Sequence, residues 1–188
     1  MAVITIIGIF FVLAAPSLSN TFDDQRAGAT ADSVAQMFRV ARTRAAFSGG
    51  AHAVMITQSG AQARLDLIMA VDPTTGSAIG SCFSPIWSNA PATAGMRLLM
   101  TIDPINDQTL VSKNISIVPS STAVGTVCFT PGGSMWFRPA GSSIWKRPLL
   151  QDHYDYEIHR TDGTGAIVGL IRTVRIGTTG VPRVDVTP

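Results

Sequence analysis

The sequence predicts an α+β fold in which one long N-terminal α-helix packs on a C-terminal antiparallel β-sheet domain. Three observations lead there. The chain opens with Met1 to Ala15, a run without one charged or strongly polar side chain. From Asp32 the apolar residues recur at helical steps until Gly49 and Gly50. Beyond Gly50 the period changes to two, and short apolar runs bounded by Gly, Pro, Ser and Asn succeed one another to the C-terminus.

Composition narrows the function classes. The 188 residues are 46% hydrophobic and only 14% charged, against about a quarter charged in ordinary soluble domains. Some of the surface is therefore expected to meet lipid or protein rather than water, which disfavours a freely soluble cytosolic enzyme. With 8 Phe, 3 Trp and 2 Tyr the chain has apolar area enough to offset the entropy of ordering, so disorder is excluded for most of it. A net charge of +2 is too small for a dedicated nucleic-acid binder.

The first element is membrane-grade in character but short. Fifteen helical residues reach roughly 22 Å, less than the roughly 30 Å hydrocarbon core. A secretory signal peptide fits poorly, since no Lys or Arg precedes Arg26, and a buried core helix also fits a run of this length. Pro16 removes one backbone donor and is expected to kink the helix rather than end it. Further on, Val34, Met37, Phe38, Ala41 and Ala45 form one face, with Asp32, Gln36, Arg39 and Arg42 elsewhere. Ser48, Gly49 and Gly50 stop the helix. The expected organisation is thus a helix over residues 1–47 followed by a β-rich domain of residues 48–188. Within the helix, residues 1–21 are expected to form the membrane part, and residues 22–47 the amphipathic part that packs on the β domain.

Strands are expected at Ala53 to Gln58, Ala63 to Met69, Arg97 to Ile102, Asn114 to Val118, Val124 to Thr130, Met135 to Arg138, Tyr154 to Arg160, Ile167 to Ile176 and Arg183 to Val186. Thr130 to Ser134 reads as a turn. Asp72 to Gly95, dense in Pro, Gly, Ser and Ala, reads as a long surface loop. Cys82 lies in that loop and Cys128 in a strand; a bridge between them and two buried free thiols are both open at this point.

Chemistry is sparse. The sequence carries no G-x-S-x-G elbow, Walker-type phosphate loop, H-E-x-x-H or dinucleotide fingerprint, so no catalytic residue, cofactor or metal is expected. His153, Asp155, Glu157 and His159 alternate along one strand as a polar outer face, the two histidines roughly 20 Å apart. Tyr154, Tyr156 and Ile158 are expected to pack on the core. Seven basic residues in the last third, Arg172 among them, are interleaved with five acids, which reads as a solvated surface rather than a phosphate stripe. Arg39, Arg42 and Arg44 read either as helix solubility or as a contact for acidic groups.

Residues Met1 to Leu18, MAVITIIGIFFVLAAPSL, resemble the hydrophobic N-terminal helix of type IV pilins and type II secretion pseudopilins, most recognisably in Ile6-Ile7-Gly8-Ile9 and Ala14-Ala15-Pro16-Ser17-Leu18. Ala31 to Gly50, with the A-R-x-x-A pattern of Ala41 to Ala45, resembles the second helical half of the GspH/FimT group of minor subunits. Cys128 to Gly133, Val174 to Ile176 and Gly180 to Arg183 are more loosely similar to that group's late strands and turns.

The resemblance implies a non-enzymatic minor pilin or pseudopilin that helps initiate or cap a pilus or pseudopilus. It implies a single-pass anchor in the bacterial inner membrane with the β domain in the periplasm, then a place in a filament. Partners would be other pilins, packed through Ile4, Ile7, Gly8, Phe11, Leu13 and Pro16. The competing class is an envelope binding module whose β domain, through the 72–95 loop, recognises DNA or a secreted substrate. Two departures qualify the match. Members carry a short basic leader ending in Gly and an early acidic residue, both expected upstream of Met1, and the C-terminal glycine-arginine pattern of DNA-binding members is altered by Val181 and Pro182.

Overall fold

The computed structural model describes residues 2–59, 62–88, 95–104, 106–107, 110, 114–120, 124–149, 153–162 and 164–187; for residues 2–20 it describes the backbone alone. Helix α1 spans Ala2–Ser48, 47 residues of continuous helical backbone that runs through Pro16. From residue 21 its buried positions are Ala27, Thr30, Ala31, Val34, Ala35, Met37, Phe38, Ala41 and Ala45. Steps of three and four place them on one side, as the 3.6-residue turn requires. Five are alanines, which let the helix axis lie close to the sheets. The helix ends at Gly49, whose φ of 69° is the left-handed conformation that lets the chain turn away at little steric cost. The Ser48 Oγ accepts a hydrogen bond from the Gly50 N–H at 3.2 Å.

Among the described residues nine strands follow: β1 (His52–Ser59), β2 (Gln62–Ala70), β3 (Met96–Ile102), β4 (Ile115–Pro119), β5 (Val124–Phe129), β6 (Met135–Pro139), β7 (His153–Thr161), β8 (Ile167–Gly177) and β9 (Pro182–Thr187), with a short 3-10 turn at Pro85–Ser88. Each lies within two residues of its sequence expectation at either end. They form a five-stranded sheet in the order β3-β2-β1-β5-β6 and a four-stranded sheet in the order β4-β7-β8-β9, antiparallel at every pairing. The fold is therefore α+β, with α1 laid across both sheets.

The main core lies between them. Val54, Leu65, Leu67, Val127 and Phe129 come from the first sheet, Ile117, Tyr156, Ile158, Val174 and Ile176 from the second, and Val34, Phe38 and Ala41 from α1. Phe38 stacks on Tyr156 with ring centroids 5.7 Å apart, and Phe137 meets Tyr154 at 4.9 Å, linking β6 to β7. Period-two alternation sends the neighbours of these residues to the outer face of the first sheet. There Ala53, Ile68, Ala70, Cys128, Cys82 and Trp87 make a second cluster.

That second cluster corrects the reading of residues 72–95 as a plain surface loop. Its described portion folds back over the sheet: Val71 and Ala78 form a bridge, the Ile79 carbonyl accepts from Ala51 N–H at 2.7 Å, and Cys82 and Trp87 are fully buried. The hydrophilic composition belongs to the Asp72 to Ser77 tip, where the Asp72 carboxylate accepts from the Thr74 N–H and hydroxyl. Ile79, Cys82 and Trp87, the hydrophobic anchors in a Gly/Ser-rich stretch, are too sparse for a periodic signal, and the loop itself hides the sheet face it covers.

Candidate interaction surfaces

The end of the β7–β8 hairpin pins the helix. Arg160 has the same strand parity as Tyr154, Tyr156 and Ile158, so β7 delivers it to the helix side. Its Nη1 lies 3.2 Å from Asp23 Oδ2 and its Nε 3.4 Å from Asp24 Oδ1, the latter a charge contact outside hydrogen-bond geometry. Opposite, the register slips between Ile158 and Arg160, and Gly169 takes φ of 80°. This bulge makes room for the helix: a Cβ on Gly169 would overlap the Asp24 carboxylate. Sequence reasoning missed this group. Its one signal was an arginine on the core parity of an otherwise apolar strand face.

Arg172, read as solvated, is corrected by the same parity. It aligns with Val174 and Ile176, and its Nε lies 3.1 Å from where a Gly28 Cβ would sit, half-buried under α1. Arg39 and Arg44 are exposed and Arg42 half-buried.

On the opposite face of the second sheet the alternation His153, Asp155, Glu157, His159 is present, but it is not uniformly solvated. Asp155 is buried beneath Arg175, which donates from Nε at 3.0 Å and Nη2 at 2.8 Å, and His153 Nε2 lies 3.6 Å from the same carboxylate. His159 is buried, its Nδ1 without a hydrogen-bond partner among the described residues. No cluster of three potential metal ligands occurs among the described residues.

Two buried histidines give the fold a pH dependence. Burial lowers the pKa of His52, with the Gly50 carbonyl at 3.0 Å opposing and Arg44 reinforcing the shift. Burial likewise lowers His159 against the opposing charge of Glu157. The unfolded chain takes up these protons near pH 6.5 while the folded chain resists them, so the unfolded state binds more protons and stability falls as pH drops below about 6.5. The melting temperature is expected to fall between about pH 7.5 and 5.5, and replacing both histidines by glutamine should flatten that slope. An unchanged slope would place the titration elsewhere.

The outer face of the first sheet is aromatic and basic. Cys82 and Cys128 form a disulfide with Cα atoms 5.9 Å apart, tying the 71–88 segment to β5. Next to it, Trp136 of β6 meets Phe83 edge-on at 4.6 Å and carries the Arg147 guanidinium 5.0 Å from its ring centre. Arg138 lies 5.2 Å over the Trp145 ring. Residues 140–147 reach this position by turning back on the sheet edge, where Phe137 and Lys146 exchange backbone hydrogen bonds at 3.0 and 2.8 Å. Beside them, Met55, Ile56, Gly125, Thr126, Arg138 and Ser143 border a cleft of about 450 Å³. Interleaved Trp and Arg between 136 and 147 were visible in the sequence, but nothing there said that Trp136, Arg138, Trp145 and Arg147 come together on one face.

The sequence-derived site residues divide into three groups. Val34, Met37, Phe38, Ala41 and Ala45 are fully buried in the main core. Cys82 and Cys128 are bridged. The side chains of Ile4, Ile7, Gly8, Phe11, Leu13 and Pro16 lie outside the described residues. Among the described residues no helix is long and apolar enough to cross a membrane.

The arrangement defines a helix-on-two-sheets α+β protein with a disulfide-tethered outer loop. No protein-family model and no curated protein sequence matches the chain. Among solved structures it is similar to the type IV minor pilin FimU of Pseudomonas aeruginosa in two crystal forms. One has 15% identity, covers 88% of this chain and 90% of that one, and has a TM-score of 0.46. The other has 16% identity, covers 87% and 92%, and has a TM-score of 0.41.

Proposed function

We propose that this chain is a non-enzymatic structural subunit, a minor pilin or pseudopilin that helps initiate or cap a type IV pilus or type II secretion pseudopilus. The supporting observation is the division of labour along α1. The described core takes its helix residues from Ala27 to Ala45, while helical backbone continues N-terminally to Ala2 through Met1 to Ala15, a stretch without one charged or strongly polar side chain. Residues 2–22 of the helix would be about 30 Å long. Before assembly this segment would lie in the inner membrane with the β domain in the periplasm. In the filament it would exchange lipid for the equivalent helices of neighbouring subunits, so that one surface serves both states. The disulfide fits an oxidising extracytoplasmic compartment. Residues 1–21 would form the membrane and filament segment, 22–47 the segment held by the sheets, and 48–188 the globular body.

Gly8→Leu tests this reading. Leucine keeps the hydrophobicity but widens a close helix contact, and a loss of about 1.4 kcal/mol in one contact lowers association roughly tenfold. Membrane fractionation and β-domain folding should be unchanged, and filament or secretion output in cells should drop. Normal output would remove Gly8 from the packing surface.

A further inference from the structure

We infer that the cleft between β5, β6 and the 139–143 turn receives a carboxylate from an acidic, partly apolar segment of a partner protein, with Arg138 as its counter-ion. The inference does not require the filament reading; it concerns the opposite side of the protein from the α1 core.

Arg138 is half-buried in β6 and lies over Trp145, yet no acid pairs with it among the described residues. Burial alone lowers its pKa, with no carboxylate acting to raise it. The cross-strand row that contains it runs Arg138, Thr126, Met55, Asp66, so the acid on this face stands three strands away, about 14 Å at the usual strand spacing. That acid is already engaged: Arg64 Nε lies 3.0 Å from it and the Thr101 hydroxyl donates to it. Arg147, over Trp136, sets a second guanidinium on the same sheet face, likewise without an ion pair among the described residues. A half-buried guanidinium gains from a carboxylate partner beyond its contact with the ring, and the cleft of about 450 Å³ beside it has space for one.

The lining indicates what carries the anion. Met55, Ile56 and Pro139 give apolar walls, and Thr126 and Ser143 add hydroxyls. Ile144, which follows the lining residue Ser143, is 63% exposed, and Phe83, against Trp136 on the same sheet face, is 54% exposed. A guanidinium held in plane by an aromatic ring offers paired N–H donors that match a carboxylate, and the apolar surround suits aliphatic neighbours on the same segment. Single-stranded nucleic acid would need ring faces on which to stack bases. Here Arg138 already takes one face of Trp145, and Arg147 and Phe83 engage Trp136. Trp and Arg are also the residues that most often dominate protein–protein contacts. The wall itself depends on Gly125, where a Cβ would meet Ala140 N and Arg138 O at 2.7 Å.

The test is fluorescence anisotropy of the full chain with three probes: a labelled peptide alternating aspartate and leucine, its asparagine counterpart, and oligothymidine of matched length. The acidic peptide should bind at least tenfold more tightly than the other two, and more weakly as salt rises. Arg138→Gln should lower that affinity at least tenfold. Ser143→Glu, which leaves Arg138 in place and sets a carboxylate of the chain's own in the cleft, should do the same while the melting temperature stays near that of the parent. Equal binding of the acidic and neutral peptides would overturn the proposal. So would Ser143→Glu binding like the parent, or oligothymidine binding more tightly than the acidic peptide through Arg138.

Discussion

Arg160→Ala is expected to destabilise the protein by about 3 kcal/mol, read as a shift in the denaturation midpoint at unchanged slope. Arg160 is 8% exposed and faces two carboxylates, so removing it takes a counter-charge from both Asp23 and Asp24 where they lie side by side against the sheet. The value sits at the low end of the range for buried pairs because the Asp24 side chain keeps 27% of its surface in water and one contact is poorly aligned. An ion pair of this kind is weak evidence for net stability. The triple change Arg160→Met with Asp23→Asn and Asp24→Asn, which removes all three charges, should therefore recover most of the loss. A loss below about 1 kcal/mol for Arg160→Ala would show that the group behaves as an exposed pair. Placed where the helix passes the β7–β8 hairpin, these charges tie α1 to the second sheet near the N-terminal end of its buried face.

Removing the disulfide should have an effect of similar size but different reach. The bridge closes a separation of 46 residues, for which the chain-entropy relation gives roughly 4 kcal/mol. In the Cys82→Ala/Cys128→Ala protein the loss should fall unevenly. The 71–88 segment is held by backbone bonds at Ala51 and Ile79, the bridge and the Trp87 ring, whose indole N–H donates to the Ser81 carbonyl at 3.0 Å. The main core between α1 and the sheets contains neither cysteine. Hydrogen exchange should thus show residues 71–88 opening at much lower free energy than β1 or β7, with a midpoint loss measurable by denaturation. Uniform loss of protection across the chain would contradict the separation into two cores.

How far the sequence could be read depended on whether one segment carried its own signal. The strands were legible because each supplies its own alternation and turn residues: Val54, Met55 and Ile56 in β1 and Tyr154 to Ile158 in β7 needed no partner to be recognised. The helix face from Val34 to Ala45 was legible for the same reason. Arg160 with Asp23 and Asp24 was not, since the pair joins residues about 137 positions apart through a register slip at Gly169 that no local pattern announces. Asp155 and His159 read as solvated because alternation gives the face and not what covers it; Arg175 from the next strand does so for Asp155. The outer aromatic face came together only through sheet order, which brings β6 beside β5 and returns residues 140–147 over its edge.

The central claim is that the apolar start of α1 packs against other subunits. The most direct measurement is photo-crosslinking of the full chain in its own cells, with a photoreactive phenylalanine analogue in place of Phe11. In the assembled fraction the account predicts crosslinks to the N-terminal apolar segments of other pilin-like subunits, and in the unassembled membrane fraction crosslinks to lipid. Crosslinks from Phe11 to this chain's own β domain in both fractions would contradict it.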